Sequence, residues 1–215
     1  MPANASAAQV SSGGRPLSEI LTTPNFIVAA AAGSLGYSVM GFVMTAAPLA
    51  VVGCGYTVGN AATVIQWHLL GMFAPSFLTG RFAAKLGTLR VILVGALLLL
   101  ASAVVGVAGV SLPHFWVSLL LSGVGWNFMY VGATILLAES FSVEERAKVQ
   151  AANEFIMFTL VSLSTFVAGA FYNKQGWTAV SLLGTPFVVA AVVLTIWLMR
   201  RRKKAAASVL VGHAA

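Results

Sequence analysis

Six long apolar runs constrain this sequence more than any other feature in it. Their approximate limits are Phe26–Val51, Ala61–Thr79, Leu89–Val110, His114–Ala138, Val149–Tyr172 and Thr178–Met199. Each is near the ~20 residues that an α-helix needs to cross a hydrocarbon core ~30 Å thick. Barrel strands alternate apolar and polar side chains over about 10 residues, and these runs do not. The expectation is an all-α membrane protein with six transmembrane helices. Residues 1–23, rich in Ala, Ser and Gly, read as a flexible lead-in with no signal-peptide core. Residues 24–199 hold the helices, and 200–215 form a basic tail.

The composition agrees. Of 215 residues 59% are hydrophobic and 8% charged, whereas about a quarter of an ordinary soluble domain is charged. Six spans consume the length, so no large extramembrane enzyme domain is expected. The single cysteine, Cys54, has no internal disulfide partner, and no Cys/His cluster has metal-ligand spacing. The stretch Gly53-Cys54-Gly55 lacks the lysine and helix context of a phosphate-binding loop. No nucleophile stands with a base and an orienting group. Neither an enzyme nor a cofactor is expected.

Charge sets the orientation. Arg15 precedes the first run, Arg81, Lys85 and Arg90 follow the second, Arg146 and Lys148 follow the fourth, and Arg200, Arg201, Arg202, Lys203 and Lys204 follow the sixth. That places 11 of the 12 cations on one side and leaves Lys174 alone on the other. The positive-inside rule then makes both termini cytoplasmic, in a bacterial-style inner membrane. The basic balance reads as an orientation code, not a nucleic-acid surface. Trp116 and Trp177 fall at the outer ends of their runs, where an indole suits the headgroup layer.

The loop Gly80-Arg81-Phe82-Ala83-Ala84-Lys85-Leu86-Gly87-Thr88-Leu89-Arg90 resembles the signature of the major facilitator superfamily. Gly80, Lys85, Gly87 and Arg90 match it, and Ala84 stands where the family carries an acid. The link Glu144-Glu145-Arg146-Ala147-Lys148-Val149-Gln150 looks like the cytoplasmic connection one repeat later. The resemblance covers Pro16 to Lys204. It implies one half of a carrier whose two six-helix halves hold substrate at the midplane between them. Arg15-Pro16-Leu17-Ser18-Glu19-Ile20 resembles the link joining the halves, which makes this the C-terminal half. Spans one, two, four and five would face the other half, and three and six would face lipid.

Polar groups inside a bilayer are costly unless they face protein or water, so they are the functional candidates. Glu154, Phe158, Ser162, Thr165 and Gly169 share one face of span five, and Asn127, Tyr130 and Thr134 share one face of span four. Tyr37 and Asn127 fall near mid-span, at the substrate depth the resemblance implies. The candidate substrate residues are Tyr37, His68, Trp126, Asn127, Tyr130 and Ser162. Each has a plainer alternative: Trp126 and Tyr130 could stack a planar solute or fill gaps between helices. Asn127 could bind solute or tie span four to a neighbour for about 0.6 kcal/mol. His68 could carry a proton or simply pack, and Gln66 lies on nearly the opposite face. Glu154 is the one carboxylate within a span. It could couple protons through a carboxyl held at low dielectric, or gate by pairing with Arg81, Lys85 or Arg90. Gly33, Gly36, Gly95, Gly106, Gly123 and Gly125 suit close helix contacts.

The expected function is secondary transport of a small organic solute by alternating access. The expected partners are the lipid bilayer and a second six-helix half or another copy of the chain. The alternatives are a six-span homodimeric carrier and a nontransporting membrane scaffold.

Overall fold

A computed structural model describes residues 14–212, with side chains described through Ser208. Residues 1–13 of the lead-in and 213–215 of the tail lie outside the described residues. There are eight helices and no strand among the described residues: α1 Leu17–Leu21, α2 Pro24–Gly53, α3 Val58–Phe73, α4 Ser76–Leu86, α5 Thr88–Ala108, α6 Leu112–Ala138, α7 Arg146–Leu183 and α8 Thr185–Gly212. Four stretches, Pro24–Gly53, Thr88–Ala108, Leu112–Ala138 and the 63-residue Arg146–Ser208, are long and apolar enough to cross a membrane. The bent pair α3–α4 makes a fifth.

Local chemistry sets the starts. Thr23 caps α2 by accepting from the Phe26 N–H at 3.3 Å, and Pro24 occupies the first turn, where its missing N–H costs nothing. At α3, Thr57 and Asn60 cap reciprocally: each backbone N–H donates to the other's side-chain oxygen at 3.1 Å.

Several features differ from the sequence reading. The break expected over Gly80–Arg90 is mostly helix: α4 continues to Leu86, and the chain turns at Gly87 alone, whose φ of 93° suits glycine. The second span breaks instead at Ala74–Pro75, where proline withholds an N–H and the chain bends by 40°. The link Asn173–Trp177 likewise stays within α7 except at Gly176 (φ 76°, ψ −178°). Trp177 is not a headgroup ring. It is 5% exposed, packs on Phe115 with ring centroids 5.0 Å apart, and its Nε1–H donates to the Gly106 carbonyl at 2.9 Å. The lead-in also holds structure close to the bundle, because Ile20 of α1 is fully buried in the core.

α6 is central, packing on α5, α3 and α2, while α2 also carries α7 and α8. One apolar core gathers Val28, Ile92, Leu136 and Leu198, and a second gathers Ala46, Phe115, Leu119 and Trp177. A third cluster of Met40, Met72 and Trp126 has Tyr37, Met44 and Tyr130 at its edge. The helices touch through glycine. A Cβ at Gly95 would lie 2.7 Å from the Gly125 carbonyl oxygen and 2.7 Å from the Met129 nitrogen. A Cβ at Gly125 would lie 2.8 Å from the Gly95 oxygen. A Cβ at Gly123 would strike the His68 carbonyl oxygen. The close contacts expected of Gly95, Gly123 and Gly125 are therefore backbone against backbone.

Candidate functional site

The third cluster brings together three of the expected residues. Tyr37 of α2 meets Trp126 of α6 edge-on at 5.2 Å, and Tyr130, one turn along α6, stacks on Trp126 at 5.0 Å with an angle of 9° between planes. Tyr37 also meets Tyr130 edge-on at 5.8 Å and Phe158 of α7 at 6.4 Å. The four rings come from the mid-portions of three helices. Such offset and edge contacts add about 0.5–1.5 kcal/mol per pair beyond area burial. Trp126 is nearly covered, while Tyr37 and Tyr130 are half-buried and Phe158 is 51% exposed. The cluster thus opens towards α7, where Glu154, Phe158, Thr159 and Ser162 line a wide groove. Glu154 is half-buried and Ser162 exposed in it.

The remaining candidates stand apart. His68 is fully buried between α3 and α6, with Nδ1 2.7 Å from the Leu119 carbonyl, and Gln66 is exposed on the other side of the helix. Asn127 is 1% exposed and clamps the broken span. Its Nδ2 donates to the Met72 carbonyl at 2.7 Å and to Ser76 Oγ at 2.6 Å, and its Oδ1 accepts from Thr79 Oγ1 at 2.6 Å. The Met72 carbonyl sits beside the break, and a neighbouring helix supplies it with a donor. The packing role gains the structural support here, because the amide is consumed. Pro75 was the one signal in the sequence for that clamp.

Arg81, Lys85 and Arg90 are exposed, and among the described residues none pairs with Glu154. The gate expected between them is not formed in this conformation. The two ion pairs among the described residues are Arg15–Glu145 at 2.9 Å and Arg202–Glu139 at 2.6 Å. Glu145 is almost covered. Its Oε1 accepts from the Arg15 backbone N–H at 2.7 Å and from Arg15 Nε at 3.1 Å, and its Oε2 accepts from the Ser142 N–H at 3.0 Å. The Arg15 guanidinium also reaches the Ser140 carbonyl at 2.8 Å, and Lys148 donates to the Arg15 carbonyl.

These donors, with the Arg15 side chain foremost, hold the Glu145 carboxyl down from 4.5 to about 2. A depressed carboxyl stabilises the fold fully above its unfolded value and loses that contribution as pH falls from about 4.5 through about 2. The protection of the Arg15 and Ser142 amides, taken relative to the intrinsic exchange rate at each pH, should therefore be full at pH 6 and fall over that acidic window. Equal protection after Glu145→Gln would refute the charge-assisted contribution.

Comparison with known proteins bears on what the groove belongs to. The model of the Major Facilitator Superfamily matches residues 26–212. The chain belongs to the major facilitator superfamily. It is 44% identical over 195 residues, 91% of this chain and 48% of the relative, to the riboflavin transporter RfnT of Brucella anthropi. It is 30% identical to two uncharacterized MFS-type transporters of Bacillus subtilis, YdeG and YddS. The matches cover 80% and 78% of this chain, and 40% and 39% of those relatives. The chain thus spans about half the length, or less, of these curated relatives. The superfamily is one of transporters, not enzymes, and the all-helical, strongly apolar fold fits it.

Proposed function

We propose that these helices are the C-terminal half of a secondary carrier that moves a planar aromatic solute of the flavin type by alternating access. The observation that carries this reading is the Tyr37–Trp126–Tyr130 cluster, which Phe158 joins at mid-helix to a groove that none of the described residues covers. Aromatic rings offer flat, polarisable contact to a flat solute. The riboflavin transporter among the relatives supplies the solute class.

The reading includes six spans. A 63-residue helix would be about 95 Å long at 1.5 Å per residue, some three times the hydrocarbon core. The non-helical Gly176 therefore divides Arg146–Ser208 into a fifth and a sixth crossing. An even number of crossings with the cations on one side puts both termini in the cytoplasm of an inner-membrane protein. A second six-helix unit covers the α7 groove and completes the path. Glu154, free of Arg81, Lys85 and Arg90 in this conformation, is the coupling or gating group.

The test is uptake. The chain, co-reconstituted in liposomes with the part of the Brucella anthropi relative that it does not match, should accumulate riboflavin. Glu154→Gln in the same assembly should slow uptake at least tenfold. Uptake by the chain alone would favour a homodimer, and no uptake from either assembly would overturn the carrier reading.

A further inference from the structure

We propose that the indole N–H of Trp126 is the hydrogen-bond donor that recognises the solute, so that the solute carries an acceptor, a carbonyl oxygen or a ring nitrogen, at the edge of its planar system. This rests on the flavin-type reading above and narrows it. Trp126 is 7% exposed, and its Nε1 is buried without a partner. A buried donor with nothing to bond loses its hydration and gains nothing back. The same fold satisfies its other buried indole, since Trp177 donates to the Gly106 carbonyl at 2.9 Å. Of the two buried indoles, only the one in the aromatic cluster lacks an acceptor.

The ring itself has little left to offer. Tyr130 stacks on one face at 5.0 Å, and Tyr37 abuts it edge-on at 5.2 Å. A solute layered on Trp126 would have to displace Tyr130, whereas the N–H at the ring's edge is the part of the indole left without a partner. Met40 and Met72 pack in this cluster, and unbranched thioether side chains repack readily. Three other buried atoms also lack a partner, Ser34 Oγ, Ser38 Oγ and His68 Nε2, and none of them belongs to one of the stacked rings. The half-buried rings of Tyr37, and of Phe158 beyond it, remain to flank the solute's faces.

The experiment follows the indole directly. The chain, assembled with a second six-helix unit in lipid nanodiscs and carrying ¹⁵N-labelled tryptophan, is titrated with riboflavin. The Trp126 N–H resonance, identified by its absence in Trp126→Phe, should move downfield and exchange more slowly with water. Riboflavin should bind Trp126→Phe about tenfold more weakly. If that variant does not fold, Trp67→Phe, Trp116→Phe, Trp177→Phe and Trp197→Phe assign the other four indoles, and the shift of the fifth in the unaltered protein still decides. Saturating riboflavin, seen bound through quenching of its own fluorescence, with an unmoved Trp126 resonance would overturn this inference and leave the flavin-type reading intact. A downfield shift on assembly alone, before riboflavin, would give the donor to the partner helix and overturn it likewise. No binding of riboflavin to the assembly would overturn both.

Discussion

Alanine at Gly95 should destabilise the bundle by about 2 kcal/mol, read as an earlier thermal or SDS-induced unfolding transition in detergent. A methyl group there lands 2.7 Å from two backbone atoms of α6, the Gly125 oxygen and the Met129 nitrogen. Backbone cannot rotate away as a side chain can, so α5 and α6 must separate along their whole crossing. Overpacking of this kind costs roughly 1–3 kcal/mol. The helix propensity gained from losing a glycine, about 0.5–1 kcal/mol, offsets only part of it. Gly80 provides the control, because a Cβ there meets nothing within 4 Å. Gly80→Ala should be neutral or stabilising by up to about 1 kcal/mol. Equal stability of Gly95→Ala and Gly80→Ala would refute the close crossing.

Leucine at Asn127 should cost a similar amount, about 2 kcal/mol, and should act on α3 and α4 more than on α6, where the residue lies. A single hydrogen bond between membrane helices averages about 0.6 kcal/mol. Asn127 makes three, at 2.6–2.7 Å, from a site 1% exposed. One of them serves the Met72 carbonyl beside the Ala74–Pro75 break. Stranding that acceptor adds roughly 1–3 kcal/mol of unreturned desolvation, so the orphaned carbonyl outweighs the mean bond. Hydrogen exchange should rise at residues 73–79 first. Uniform destabilisation of α5 and α6 with no local effect at the break would exclude the clamp.

The sequence made the helical membrane class legible, because hydrocarbon forces backbone groups to bond within their own segment and the apolar run length follows. The details that escaped depend on neighbours. Pro75 could be read as a breaker, but Gly80 and Gly87 were stronger punctuation, and nothing local says that α4 stays helical to Leu86. Trp177 looked like an interfacial ring because run ends are where indoles usually sit. Its partner at Gly106 is 71 residues away in sequence. Helical periodicity put Glu154, Phe158 and Ser162 on one face, and the structure keeps them in one groove. Periodicity within α6 could not tell that Asn127 turns to the break while Trp126 and Tyr130 turn to Tyr37, since that depends on where α3 and α2 lie.

The two ion pairs have a mechanical consequence. Glu139 and Glu145 stand at opposite ends of the short link between α6 and α7, one holding Arg202 of the last helix and the other Arg15 ahead of the first. That link is a knot into which both outer segments of the described chain are tied. It cannot swing without either towing Arg15 and Arg202 together or letting one of them go.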